Sequence, residues 1–170
     1  MDADITPGIS GPSSGFKYRY PAGHKYHRST DDMARDLSLI LALPLCHKTK
    51  VDVINSFLWG WSELFGKYGG CRHSEKAVEY ADKHGQTGLV HDHSVPRKVV
   101  TAMILGTTKP TAEQLLTILE EYCEGVIITK DEDAALNKAG LRSKMPKDWN
   151  GIDPDARYIA VGIAIEERIY

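Results

Sequence analysis

Apolar positions recur at helical spacing along most of the chain. Thr30 and the acids Asp31 and Asp32 supply an N-cap and first turn for a helix carrying Met33, Leu37, Ile40 and Leu41 on one face, which Pro44 stops. Thr49 reads as the next N-cap. Behind it Val51, Ile54, Phe57, Leu58, Trp61, Leu64 and Phe65 form a stripe wide enough for a central core helix, closed by Gly69 and Gly70. Ser74 opens a shorter helix to about Lys83, ended by Gly85. Residues 87–93 read as extended and lead to Val95 and Pro96, with the proline in the first turn of a helix that Gly106 ends. Thr111 with Gln114, and Thr129 with Glu132, are capping-box pairs for two more helices, the second ending at Gly140. Between these two helices, residues 126–129 form a short buried strand, and residues 141–151 form a loop. Asp153 and Pro154 mark a helix start, yet Ile159, Val161, Ile163 and Ile165 alternate like a strand, so residues 154–168 stay open between the two. The pattern predicts an α+β fold: a mainly α-helical single domain over residues 30–170, with a few short strands.

Residues 1–29 break the pattern. Pro7, Gly8, Gly11, Pro12, Gly15, Pro21 and Gly23 make an irregular arm, in which Lys17, Arg19, Lys25 and Arg28 interleave with Phe16, Tyr18, Tyr20 and Tyr26. Such interleaving suits phosphates and stacked bases. The net charge of −2 is therefore a cancellation between segregated segments. Glu113, Glu120, Glu121, Glu124, Asp131, Glu132 and Asp133 make an acidic run, and Lys138, Arg142, Lys144 and Lys147 a basic one after it. No run of about 18 apolar residues is present, which argues against a membrane-spanning helix. The odd cysteine count (Cys46, Cys71, Cys123) and the acidic start, Met1-Asp2-Ala3-Asp4, lead to a cytoplasmic expectation.

Candidate chemistry concentrates at residues 89–98. On a strand, His91 and His93 share one face and Asp92 takes the other, but past the strand end Asp92 and His93 can converge on one ion. Imidazole binds metals and accepts protons near neutral pH, carboxylate suits hard cations, and the following helix start with Arg97 and Lys98 favours phosphate.

The run Asp92-His93-Ser94-Val95-Pro96 resembles the Asp-His-x-(Val/Ile)-Pro signature of HNH, or ββα-metal, nucleases. The resemblance implies that Asp92 ligates a divalent metal, Mg or Mn, and that His93 is the base activating water for phosphodiester hydrolysis. A strand and helix at residues 125–137 would supply the remaining ligand, Asp133 or Asn137, which stand at i and i+4. His91 would be a further ligand or an orienting group. Arg97, Lys98, Arg142 and Lys144 would hold the phosphate backbone, with Lys17 and Arg19 on the arm. The chain departs from the family in placing two predicted helices between the two strands and in lacking the distal histidine. A metal-dependent nucleic-acid hydrolase, in a phage, mobile-element or defence context, is the function this implies.

Two other functions fit the same residues. Cys71 and His73, with His91 and His93, offer four donors for a structural zinc that would staple the intervening helix. A non-catalytic binding protein of a phage or mobile element would instead use the acidic 113–133 segment, or the basic arm, against a partner protein.

Overall fold

The computed structural model describes residues 18–66, 68 and 71–166. Among them the chain forms, in order, α1 (Thr30–Leu41), α2 (His47–Ser62), β1 (Arg72–His73), α3 (Glu75–His84), β2 (Val90–His93), α4 (Arg97–Gly106), α5 (Ala112–Tyr122), β3 (Gly125–Ile128), α6 (Lys130–Lys138) and α7 (Ala156–Ala160). This is the mainly helical α+β fold that the periodicity predicts.

Polar side chains at helix starts fix several boundaries. Thr111 caps α5 with Gln114 reaching back, and Thr129 caps α6 with Glu132 reaching back, so two orphan donors are satisfied at each start. Ser74 caps α3 through the Ala77 amide, and its buried hydroxyl also donates to Glu132 Oε2 at 2.6 Å, tying α3 to α6. Three predicted starts move. The N-cap of α1 is Ser29, which forms a capping box with Asp32, because its hydroxyl lies three residues before that acid. Helix α2 starts at His47, ahead of Thr49, and ends at Ser62; the predicted terminator Gly69-Gly70 lies outside the described residues. Pro96 occupies the N-cap position of α4 rather than its first turn.

The main core is a helical layer in which Leu37 of α1, Ile54 and Leu58 of α2, Val100 and Ile104 of α4, and Leu115 and Leu119 of α5 are buried together. Helix α2 buries Ile54 and Leu58 fully in this core and packs Val53, Phe57 and Trp61 partly buried against it, the broad stripe its sequence predicts. The outward ring of Trp59 is 48 % exposed.

The small sheet has the order β1-β3-β2. Strand β1 runs parallel to β3, with Arg72 opposite Val126, and β2 runs antiparallel to β3, with His91 opposite Ile127 and His93 opposite Gly125. Alternation gives the sheet two different faces. Val126 and Ile128 pack with Leu136 of α6, Tyr158 of α7 and Ile163. Ile127 packs with Leu89, Ala77 of α3 and Cys71. The ambiguous tail is both of its readings in turn: α7 comes first, then Ile165 bridges Ser74 at the β1 edge.

Two buried guanidinium groups lock the sheet to that tail. Arg72 holds Glu124 Oε2 at 2.7 Å, Asp155 Oδ1 at 2.7 Å and the Glu166 carbonyl at 3.0 Å. Arg157, 1 % exposed, holds Asp92 and carbonyls of the two segments on either side of it.

Candidate functional site

Strand β2 continues through His93, so the alternation of the motif is not relaxed at its end. Asp92 and His93 consequently point to opposite faces of the sheet, and the convergence expected of them does not occur.

On the Asp92 face, the carboxylate accepts from Arg157 Nη2 and from the Tyr158 hydroxyl, the latter at 2.9 Å. Arg157 spends its remaining donors on the His93 carbonyl, the Ser94 carbonyl at 2.9 Å and the Leu141 carbonyl at 3.0 Å. All three guanidinium nitrogens are thus engaged. Burial raises Asp92 above the usual carboxylate range, Arg157 opposes this, and the charge of Asp133 adds to the rise. Asp133 and Asn137 lie on α6, whose Leu136 packs on this same face; Asp133 is half-buried and Asn137 exposed. The antiparallel pair β2–β3 is followed directly by α6, and α4 and α5 lie between the two strands in the chain.

On the other face, His91 and His93 stand edge to face, ring centroids 5.3 Å apart. His93 is 7 % exposed, and its Nε2 is buried with no hydrogen-bond partner. Burial is the main cause holding its imidazole neutral, with a pKa lowered to about 3, and His91, Arg97 and Arg157 add to the depression. Cys71 approaches the same space, where burial and the nearby Glu124 carboxylate push its thiol up to about 12. His73 does not join them: its amide donates to Glu166 Oε2 at 2.9 Å and its Nδ1 lies 3.7 Å from that oxygen. The four-donor zinc set is therefore not assembled, because Glu166 at the sheet edge takes His73. Among the described residues no three His, Cys, Asp or Glu groups stand ready to hold a metal ion as they are placed.

No known protein family, curated protein or solved structure matches the chain.

The cationic candidates are spread over the surface. Arg97 stacks on Trp59, its guanidinium carbon 4.7 Å from the ring centroid, and the Trp59 ring borders His93 at 6.4 Å. Lys98 is exposed on α4, and Arg142 and Lys144 are exposed on the loop after α6. Arg19 packs the arm onto the end of α2, donating its amide to the Leu64 carbonyl at 2.7 Å and pairing with Glu63 at 3.3 Å. Lys17 lies outside the described residues. Tyr18, Tyr20, Tyr26 and Arg28 line a pocket against Gly60 of α2, and Lys25 lies 4.9 Å over Tyr26.

Sequence reasoning left Arg157 and Tyr158 inside an ambiguous helix start and passed over Gly125. No local signal marks Arg157, whose partner Asp92 is 65 residues away. Gly125 carries a signal in retrospect, as a glycine opening a strand otherwise made of Val and Ile.

Proposed function

We propose that the protein is a nucleic-acid-binding module laid out like a ββα-metal nuclease but not hydrolysing its ligand. The observation that carries this reading is the closure of Asp92 by Arg157 and Tyr158. Both donors meet Asp92 Oδ2, so a hard cation, which needs several free oxygens around it, would have to compete with a guanidinium and a phenol for that oxygen. The intended base fares no better, since His93 Nε2 is buried on the far side of the strand. Binding is supported by the exposed Trp59 with Arg97 against it, by the exposed Lys98 that follows Arg97 on α4, and by the basic aromatic arm. Stacking on such a ring contributes about 1–3 kcal/mol per base, and each phosphate neutralised adds salt dependence. None of the three cysteines is in a disulfide, which suits the reducing cytoplasm in which we place this activity. No described helix is long and apolar enough to cross a membrane.

A second reading, the metal-dependent hydrolase, is favoured by one observation: Asp133 is close enough to Asp92 for its charge to be felt there. In that case Asp92 and Asp133 would hold Mg or Mn, which would lower the pKa of a bound water, and His93 would be the base. Incubating supercoiled plasmid and single-stranded RNA with wild type and His93→Ala, in Mg, Mn or Zn, separates the two. The expected result is a salt-sensitive mobility shift with no cleavage by either protein. Cleavage by wild type that His93→Ala reduces by about 10²–10⁴-fold overturns the binding reading in favour of the hydrolase. No association with either nucleic acid at low salt overturns both and leaves a protein partner for the acidic segment.

A further inference from the structure

We propose that Cys71, His91 and His93 form a binding site for a borderline-soft divalent cation of the zinc class, on the sheet face opposite Asp92. The register sets it up. His93 stands opposite Gly125 across β2–β3, and the parallel pairing of Arg72 with Val126 places Cys71 beside the same glycine from the β1 side. A thiol and an imidazole thus flank one position, in adjacent strands, at which the chain has no side chain.

That missing side chain is what makes the space. A Cβ on Gly125 would lie 2.5 Å from His91 Nε2 and 2.7 Å from Cys71 Sγ, so both donor atoms converge above this one α-carbon. Gly125 is not among the glycines with positive φ, so backbone conformation does not call for a glycine here. The room its hydrogen leaves is filled by the two donors. The third donor is the imidazole of His93, whose Nε2 is buried and unpartnered and whose ring lies edge-on to His91 at 5.3 Å. A buried polar atom without a partner is costly, and a cation above Gly125 supplies that partner once the His93 side chain rotates towards it.

The donor set selects the ion. One thiolate and two neutral imidazoles suit zinc and its neighbours, and no carboxylate joins them. Asp92 is on the other face, Glu124 is taken by Arg72, and Glu166 belongs to His73. Three protein donors leave a fourth position for water or an external ligand.

The test uses the full chain, stripped with a chelator and titrated with cobalt(II) and then zinc. One equivalent of cobalt is expected, giving the near-ultraviolet thiolate-to-cobalt band and the visible bands of a tetrahedral ion, both erased by zinc. Cys71→Ser should abolish the thiolate band. His93→Gln should weaken affinity beyond the roughly 10–100-fold that loss of a supporting group costs. Gly125→Ala should close the space and lower affinity, with its circular dichroism spectrum confirming the fold. His73→Ala should bind as wild type does. Absence of a stoichiometric site, a spectrum unchanged in Cys71→Ser, or loss of binding in His73→Ala each overturns the proposal.

Discussion

Strand β2 presents two faces that answer their polar groups in opposite ways. On the Asp92 face, each charged group is matched: Asp92 has Arg157 and Tyr158, and Arg157 has Asp92 and three carbonyls. One residue further on, the opposite face gathers a thiol and two imidazoles around a glycine and leaves the His93 Nε2 without a partner. The two environments differ in origin. The matched face is closed by α7, a short helix from the end of the chain, whereas the other is bordered by the ring of Trp59 from α2. The Asp92-His93 run, split across a strand in this way, becomes a structural clamp on one side and joins a thiol and a second imidazole on the other.

The comparison can be broken most forcefully at the clamp. Arg157→Ala leaves the Asp92 carboxylate without its counter-charge, held by the Tyr158 hydroxyl alone, takes a donor from three carbonyls, and should cost about 3–5 kcal/mol in chemical denaturation. The double variant Asp92→Leu/Arg157→Met should lose less than Arg157→Ala, because no unpaired charge remains buried. An equal or greater loss would mean that the carbonyl contacts, not the ion pair, are what the clamp supplies. On the donor face, Gly125→Ala crowds Cys71 and His91 and should cost about 1–3 kcal/mol. A neutral effect would show the donors to be loosely placed.

Acidity sharpens the contrast next. In metal-free protein, His93 has a pKa lowered to about 3, below its ordinary value of 6.5. The unfolded chain therefore binds a proton that the folded chain does not. Stability is fully present above pH about 6.5 and falls as pH drops towards 3, at about 1.4 kcal/mol per pH unit. Denaturation midpoints across that range should steepen in wild type and flatten in His93→Leu, and identical slopes would show that His93 takes up its proton without unfolding. The smallest effect belongs to an exposed pair. Lys48 and Asp52, one turn apart on α2, should contribute no more than about 0.5 kcal/mol, measured with Lys48→Ala, against the several expected of Arg157.

The elements were legible where a short-range rule decides them. Ser74, Thr111 and Thr129 cap the helices their side chains predict, since capping depends on residues three apart. Ser29 was overlooked in favour of its neighbour Thr30, an error of one residue between two hydroxyls. Strand β1 is two residues long and exists only because β3 lies beside it, so its own sequence carries no strand pattern. At the candidate site, the motif and its strand were legible, and so was α6 with Asp133 and Asn137. The side each residue faces was not. It depends on β2 persisting through His93, which the long-range pairing with Gly125 enforces. Arg157 was opaque for the same reason, because its role arises from a contact between distant segments.

Cation titration of the stripped chain, with manganese(II) and cobalt(II) followed in parallel on wild type and Asp92→Asn, tests the division of the motif most directly. The account predicts no saturable manganese site in either protein and one cobalt site, at the Cys71 face, that Asp92→Asn leaves intact. Saturable manganese binding in wild type that disappears in Asp92→Asn would contradict it and place the working cation on the side that Arg157 now closes.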